Sequence, residues 1–358
     1  MAKFSLVFCF LFLSSLFIDF SVATTKTVGY YEIKKGDISV TVTNYGATIL
    51  SVKVPDNKGN IADIALGFRS IGQYTNDTTY FGALVGRVAN RISGARFHIN
   101  GKTYKVFPNE GNNTLHGGHR GFGDVFWTVK SHQKDGHKPH ITLTYDSFDG
   151  EQGFPGDVSV SVTYKLLQHN QLAVIMKARP LNKATPVNLA QHTYWNLGGH
   201  NSGNILQNKV QIFGSQITPV DDKLLPTGET AFVKNTPYDF LEPRVIGSRI
   251  DQLSAGYDIN YVLSLPFTSI IRKAAKVHDP KSGRVLELWT NKPGLQFYTG
   301  NMLKDVKGKD GAVYKAHAGL CLETQGFPDS VNHPNFPSQI VKPGETYKHI
   351  MLYKFSTE

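Results

Sequence analysis

Short stretches in which apolar and polar residues alternate recur along the whole chain. A strand turns successive side chains to opposite faces, so this alternation is typical of β-strands with one buried face. The clearest stretches lie at residues 38–42, 141–145, 158–164, 286–288 and 347–355. Turn-forming residues separate them, as at 56–59, 100–101, 279–283 and 343–344. Because amphipathic helical patterns with capping residues are nearly absent, the sequence predicts an antiparallel β-protein.

Length and composition favour one large unit. Of the 358 residues, 40% are hydrophobic and 18% are charged, values typical of a globular protein without long disordered segments. All-β domains of 250 residues and more are routinely single units, and no Ser/Pro-rich linker or fixed-period repeat divides the chain. We therefore predict an all-β fold, a large antiparallel β-sandwich over residues 24–358. Two sandwiches divided near the middle are the structural alternative.

The first 23 residues are organised like a secretory signal. Lys3 precedes an apolar stretch at 4–18, and Ser21 and Ala23 place small residues where signal peptidase cleaves. The apolar stretch is shorter than the roughly 20 residues that a transmembrane helix needs, and no later segment qualifies. We predict that residues 1–23 are removed and that the protein is secreted or remains in the lumen of the secretory pathway. An uncleaved signal anchor is the alternative.

Secretion gives meaning to the cysteines and to two glycosylation triplets. Removal of Cys9 with the signal leaves only Cys321, so no intramolecular disulfide can form and the core must hold the fold together. Acceptor triplets for N-linked glycans begin at Asn76 and Asn112. These features are compatible with a secreted glycoprotein.

The net charge of +10 would suit a polyanionic neighbour. The basic residues are scattered and form no runs, which favours a generally basic surface and at most a weak association with acidic polysaccharide. Nucleic acid is not an expected partner, because the chain shows no recognition helix or zinc motif. A monomer is the default expectation.

Polar residues that can carry chemistry concentrate in five segments, most of them rich in glycine, and together they supply a carboxylate, two imidazoles, a guanidinium and an amide. They are Asn90-Arg91, His116, His192, Asp258 and Glu323. This set suffices for acid–base work on a polyhydroxy substrate. Each residue taken alone also fits a structural role, such as a hydrogen-bonded histidine, a surface salt bridge or a turn.

Other chemistries find weaker support. His116 and His119 invite a metal interpretation, but no cysteine pair or acidic partner sits at ligand spacing, so we expect neither metal nor cofactor. The Gly-x-Ser-x-Gly motif of many serine hydrolases is absent. Glycoside hydrolysis stays open, since Glu323 with Asp258 or Asp329 could supply the two carboxylates it needs.

Aromatic residues flank the same segments, and we expect about half of them in the core and the remainder in a platform for a sugar ring. They are Phe126, Trp127, Tyr194, Trp195, Phe297 and Tyr298.

Several long motifs, in order, resemble the aldose 1-epimerase family, also called galactose mutarotases. They are "NYGATILSVKVPD", "GRVANRISGARF", "LHGGHRGFGDVFW", "QHTYWNLGG", "PGLQFYTGN" and "LCLETQGFPDSVNHPNFPS", and they cover nearly the whole mature chain. The resemblance implies the large β-sandwich of that family, called a supersandwich, with an open sugar cleft and no cofactor. It also implies that the protein interconverts the α and β anomers of free aldohexoses such as glucose and galactose. A secreted carbohydrate-binding protein without turnover is the alternative, followed by a glycoside hydrolase.

The resemblance further implies a role for each matching residue. Glu323 aligns with the general base of the family and His192 with its general acid. His116 and Arg91 match residues that hold the ring-oxygen side of the sugar. Further contacts to sugar hydroxyls are implied for Asn90, Asp258 and Gln296. Departures from the family pattern at Ile259 and Gly326 bear on cleft shape and sugar preference.

The ordinary pKa values of these groups set an expectation for their charges. Glu323 should be ionised at neutral pH without help, whereas His192 needs a nearby negative charge to hold a proton. Glu323 is the expected source of that charge. In an extended strand Leu320 and Leu322 would face the core, while Cys321 and Glu323 would face the cleft.

Overall fold

The structure, a computed structural model, describes residues 27–75, 77–168, 170–263 and 271–358. The predicted signal at 1–23 and the triplet residue Asn76 lie outside the described residues. Strands dominate the described part of the chain, which contains a single short α-helix, Ile71–Tyr74. Six one-turn 3₁₀ helices occur there, at Ser93–Ala95, Phe122–Asp124, Glu151–Gly153, Ile246–Ser248, Ile250–Gln252 and Lys309–Gly311. The predicted all-β fold is confirmed.

The largest element is an antiparallel sheet of nine strands. In spatial order its strands are Thr128–Gln133, His140–Ser147, Val158–Leu166, Gln171–Pro180, Tyr347–Thr357, Arg284–Thr290, Arg272–His278, Lys209–Ile212 and Arg244–Val245. The predicted alternation is clear in Val158–Leu166, where every second residue is buried. The buried residues face the core because they lie on one side of the pleat.

A six-stranded antiparallel sheet carries the residues of most interest. Its strands, in spatial order, are Tyr194–Trp195, Leu320–Gln325, Gly294–Tyr298, Asp258–Val262, Gln216–Thr218 and Ala231–Phe232. A four-stranded antiparallel sheet comprises Tyr30–Lys35, Ile38–Thr43, Ile49–Pro55 and Ile61–Asp63.

Two-stranded pairings connect the loops around these sheets. They join Leu84–Val85 to Ala190–Gln191, Arg91–Ile92 to Thr114–Leu115, Arg96–Ile99 to Lys102–Lys105, Thr185–Pro186 to Ile340–Val341, and Val306–Lys307 to Val313–Tyr314. The pairing of Arg91 with Leu115 brings two of the predicted site segments side by side.

One continuous hydrophobic core joins the three larger sheets and makes the molecule a β-sandwich. Ring contacts show the packing of the six-stranded sheet on the nine-stranded sheet: Trp195 lies 5.1 Å from Tyr353, centroid to centroid. The same core takes in Val40 of the four-stranded sheet. No helix in the described part of the chain is long and apolar enough to cross a membrane.

Candidate active site

The strand Leu320–Gln325 is buried along its whole length and divides its side chains between two environments. Leu320 and Leu322 belong to the main core, whereas Cys321 packs in a smaller cluster on the other side. Glu323 lines a cleft on that second side. The predicted division of the strand is confirmed, and it holds the carboxylate on a rigid element.

Neighbouring strands add polar residues beside Glu323. Antiparallel register places Gln296 opposite Glu323 and Asn260 opposite Gln296. In the adjacent row, Tyr298 lies opposite both Cys321 and Asp258. Since residues two apart on a strand share a face, these rows form a polar patch on the sheet surface away from the core.

The cleft above this patch has a volume of about 230 Å³. All seven residues that the sequence indicated line it, namely Asn90, Arg91, His116, His192, Asp258, Gln296 and Glu323. Six separate stretches of the chain therefore converge on one site. The individual roles that the family resemblance implies for these residues remain predictions.

Glu323 and His192 face each other in the cleft, with Nε2 of His192 3.7 Å from Oε1 of Glu323. Glu323 is only 2% exposed, and its Oε2 atom is buried without a hydrogen-bond partner among the described residues. On the other side of the imidazole ring, Sγ of Cys321 lies 3.7 Å from Nδ1 of His192. A buried carboxylate with a free oxygen beside an imidazole is an arrangement suited to proton transfer.

His116 is held in one protonation form by the backbone. The N–H of Asn90 donates a hydrogen bond to Nδ1 of His116 over 3.2 Å. Because Nδ1 accepts, the neutral ring carries its proton on Nε2, which makes that atom a hydrogen-bond donor. Asn90 and His116 both have left-handed backbone, with φ of 61° and 50°, a costly conformation for non-glycine residues that is concentrated at functional sites.

Arg91 is clamped by a partner that the sequence did not reveal. Its Nε and NH2 groups donate to the two carboxylate oxygens of Glu110, at 2.6 and 2.7 Å. This bidentate geometry fixes the plane of the guanidinium group on the cleft wall. Glu110 lies 19 residues from Arg91 in the sequence, so only the pairing of the intervening loop brings them together.

Asp258 and Gln296 also form a pair. Nε2 of Gln296 donates to Oδ1 of Asp258 at 2.7 Å. Nε2 of Gln325 donates to Oδ1 of Asn260 at 3.3 Å and lies 3.5 Å from Oε1 of Gln296. These amide contacts orient the side chains that the resemblance assigns to sugar hydroxyls.

Burial controls the protonation of the facing pair. Desolvation raises the pKa of Glu323 well above its usual range; the charge of Asp258 raises it further and Arg91 lowers it. Desolvation also lowers the pKa of His192 to about 4. Burial therefore favours the protonated carboxyl group and the neutral imidazole. These shifts run against our expectation that Glu323 is ionised without support and so keeps His192 protonated, because both groups are shielded from water.

Neighbouring aromatic residues on one strand lie on opposite faces of the sheet. Tyr194 and Tyr298 line the cleft, whereas Trp195 and Phe297 belong to the core. The sequence did not single out Tyr80, whose ring lies 4.8 Å from that of His116 and 5.9 Å from that of His192, centroid to centroid. Tyr80 thus helps to hold both imidazoles in place.

Three side chains of the cleft, His116, His192 and Glu323, could be considered as metal ligands, because they offer ligand atoms within 4.8 Å of one another. A metal-bound histidine normally donates its other ring N–H to an acceptor. His116 does the reverse, since its Nδ1 accepts from Asn90 and its Nε2 is protonated. The donor set therefore does not fit a metal ion.

Two other residues considered from the sequence lie away from the cleft floor. His119 is exposed and lines a neighbouring groove. Asp329 accepts hydrogen bonds from the backbone N–H of Ser93 and from Asn332. Asp329 is not among the residues that line the cleft.

Comparisons with known proteins agree with the motifs. A model of the family described as Aldose 1-epimerase matches residues 30–354. The galactose mutarotase of Sus scrofa is 42% identical over 332 residues, covering 92% of this chain and 94% of that protein. The aldose 1-epimerase of Escherichia coli is 34% identical, covering 89% and 92%.

Solved structures show the same fold. An aldose epimerase homologue from C. elegans superposes with a TM-score of 0.86 at 30% identity, covering 92% of this chain and 99% of that one. A galactose 1-epimerase from Lactobacillus acidophilus gives a TM-score of 0.78 at 24% identity, covering 93% and 99%. With the family model, the relatives and the fold in agreement, the chain belongs to the aldose 1-epimerase family.

Proposed function

We propose that this aldose 1-epimerase interconverts the α and β anomers of free aldohexoses such as glucose and galactose, with Glu323 as general base and His192 as general acid. The observation that carries the proposal is their facing arrangement: Nε2 of His192 lies 3.7 Å from a buried carboxylate oxygen, in a cleft lined by polar side chains. Family membership supplies the type of reaction.

The reaction needs one proton removed and one added. The C1 hydroxyl gives its proton to the Glu323 carboxylate as the C1–O5 bond breaks, and the ring oxygen takes a proton from Nε2 of His192. The open-chain aldehyde then rotates about its C1–C2 bond until the opposite face of the carbonyl meets the C5 hydroxyl. Ring closure on the other face of the carbonyl reverses both transfers, so each residue recovers its starting form.

The reactive protonation state differs from the resting one only in the position of a single proton. Burial favours the resting proton on Glu323, whereas the reaction needs it on His192. Both states carry the same number of protons, so substrate contacts can favour one over the other without uptake from solvent. Sugar hydroxyls that donate to the buried carboxylate, together with Arg91, would stabilise its ionised form.

The remaining cleft residues bind the sugar. The protonated Nε2 of His116 and the guanidinium of Arg91 offer donors to the ring-oxygen side. Asp258 offers acceptors, and Asn90 and Gln296 offer amides, to the hydroxyl groups. Tyr194 and Tyr298 can receive the apolar face of the pyranose ring.

Polarimetry tests the proposal. Freshly dissolved α-D-glucose and α-D-galactose should reach equilibrium rotation much faster with the protein than in buffer. Saturable sugar binding without acceleration would favour a binding protein, and new reducing ends released from an oligosaccharide would favour glycoside hydrolysis.

The cellular setting is also part of the proposal. We propose that the signal at 1–23 is cleaved and that the mature monomer is a secreted glycoprotein associating weakly with acidic polysaccharide. The signal sequence and the net charge of +10 support this. Asn112 is exposed on a turn, so a glycan there would point outward. N-terminal sequencing of the secreted protein should begin at Thr24, and glycosidase treatment should reduce its mass.

A further inference from the structure

A second cavity lies apart from the sugar cleft and shares no lining residue with it. Its volume is about 210 Å³. Most of its wall comes from the turn at 291–293, from residues of the segment 337–341 and from the first residue of the strand Tyr347–Thr357. We call it the lysine cavity, because Lys292 lines it.

The amine group of Lys292 makes no hydrogen bond or ion pair with another residue in the part of the chain that the structure describes. Its Nζ atom lies 3.6 Å from the centre of the Tyr347 ring. The face of the ring attracts an ammonium group, but it replaces none of the hydrogen bonds that water makes to the three N–H groups. An amine withdrawn from water without an acceptor is more stable in its neutral form.

Burial lowers the pKa of Lys292 to about 7. About half of the amine is therefore neutral at pH 7, whereas an ordinary surface lysine is neutral in fewer than about one molecule in a thousand. The neutral form carries the lone pair that makes an amine a nucleophile.

The titratable neighbours supply no negative charge that would restore the ammonium form. NH2 of Arg272 donates to the backbone carbonyl oxygen of Lys292 at 2.8 Å. On the adjacent strand, burial and then the Lys292 charge lower the pKa of His349 well below its usual range, which favours the neutral imidazole. Burial also raises the pKa of Tyr347, so its phenol keeps its proton.

The lining of the cavity suits a small neutral ligand with a hydroxyl group. No carboxylate, and no basic side chain other than Lys292, is among the described residues that line it. Gln339 is only 6% exposed, and its Oε1 atom has no hydrogen-bond partner among these residues. The Ser338 hydroxyl accepts from the N–H of Ile340 and lies at an exposed position on the same wall. An amide acceptor and a hydroxyl group thus line the cavity together with the amine.

We propose that Lys292 is a covalent modification site at which short neutral hydroxyaldehydes form imines within the lysine cavity. The lone pair of Nζ forms a bond to the aldehyde carbon, and a proton moves from the nitrogen to the carbonyl oxygen to give a carbinolamine. The new hydroxyl group then leaves as water with a second proton from the nitrogen, and a C=N double bond remains. The site is separate from the cleft, so this chemistry does not depend on the proposed function.

Reductive trapping tests the proposal. The full chain is incubated at pH 7 with glycolaldehyde and sodium cyanoborohydride, which reduces the imine to a stable amine, and each lysine is followed by peptide mass spectrometry. Lys292 should be modified at least roughly ten-fold faster than the exposed residues Lys281 and Lys315. Its rate should level off above about pH 7, while the rates of both exposed lysines continue to rise beyond pH 9.

Two variants control the measurement. Lys292→Met, an uncharged change of similar length, should remove the fast label and leave mutarotation of glucose unchanged, because no residue of the cavity lines the cleft. Lys281→Met, at an exposed position, should leave the labelling of Lys292 unchanged. Circular dichroism confirms that both variants are folded.

Modification of Lys292 at the rate of Lys281 and Lys315, or a rate that continues to rise to pH 10, would overturn the inference. Faster reaction with glyoxylate, an anionic aldehyde, than with glycolaldehyde would overturn the assignment to neutral ligands. Because labelling is read without anomer exchange, its failure is distinguishable from a failure of the proposed function.

Discussion

The chemistry of Glu323 and His192 is set by their burial. Both side chains are withdrawn from water, and burial opposes charge on either one. Burial accordingly favours the proton on the carboxyl group, and this proton must pass to the imidazole for the proposed reaction to begin. The two groups face each other in the cleft, so in the proposed reaction they can exchange the roles of acid and base between the forward and the reverse step.

The pH profile tests this protonation scheme. We expect kcat/KM to stay constant down to about pH 4 and to decrease at lower pH. Protonation of His192 then adds a second proton to the Glu323–His192 pair, and the carboxyl group can no longer act as the base. On the alkaline side kcat/KM should fall once Glu323 loses its proton, at a pH well above the usual range of a carboxyl group. Circular dichroism at each pH controls for unfolding. An acid limb between pH 6 and 7 would show that burial does not lower the pKa of His192.

Removal of the imidazole should affect turnover more than binding. We expect His192→Asn to lower kcat by on the order of 100- to 10,000-fold, the usual contribution of a positioned acid or base. His132→Asn, an exposed histidine outside the cleft, is the matched control and should leave kcat unchanged. A loss confined to KM would contradict the role of His192 as the general acid.

Sequence motifs identified the seven residues that line the cleft, but not the neighbouring side chains that fix their positions. Glu110 and Tyr80 were missed because a salt bridge across a loop and a ring contact between loops leave no local pattern. The pKa shifts of the facing pair run against two protonation expectations for a similar reason, since burial depends on the packing of distant strands. The sequence analysis did not say which aromatic residues face the cleft; in the structure Tyr298 and Phe297 separate because neighbouring residues on a strand lie on opposite faces.

Among the elements, the loop that follows Tyr298 is anchored by a buried lysine. It carries Met302 of the cleft wall. Nζ of Lys309 donates to Asp63 and to the carbonyl oxygens of Leu50 and Ala65, at 2.6, 3.0 and 2.6 Å. The ammonium group thereby ties the cleft wall to the four-stranded sheet.

Breaking this anchor should destabilise the fold. We expect Lys309→Met to lower the free energy of unfolding by about 3 kcal/mol, because it leaves the largely buried Asp63 carboxylate without its cation. Urea denaturation measures the effect. Lys307→Met, at an exposed position two residues earlier, should change it by no more than ~0.5 kcal/mol. Equal effects of the two substitutions would contradict the anchoring role.

The sequence predicted the strands better than their anchors. The period of a strand assigned Leu320 and Leu322 to the core, and Cys321 and Glu323 to the opposite face, as the structure shows. Lys309 and Asp63 are 246 residues apart in the chain. No local sequence pattern distinguishes a lysine in a buried ion pair from a lysine on the surface. Local patterns define an element, whereas its attachments depend on the tertiary fold.

At the scale of the whole molecule, the order of the strands was beyond the sequence. Gln171–Pro180 pairs with Tyr347–Thr357, an association of segments far apart in the chain that alternation cannot specify. The sequence did predict the class of fold, because an all-β pattern with one polar face per strand has few ways to bury its apolar faces.

A shared core should make the sheets unfold together. Trp127 and Trp195 belong to the main core, so their fluorescence reports on it. We expect the urea transitions seen by tryptophan fluorescence and by far-ultraviolet circular dichroism to coincide. Two separated transitions would favour the alternative of two independent sandwiches.

The most direct test of the central claim is the rate of anomer exchange at equilibrium, measured by magnetisation transfer between the α and β anomeric protons of glucose. The unmodified protein should exchange the anomers rapidly, and Glu323→Gln, of equal size but unable to accept the C1 proton, should bring the rate close to that of buffer while the protein stays folded. A folded Glu323→Gln variant that retains the unmodified rate would contradict the assignment of Glu323 as the base.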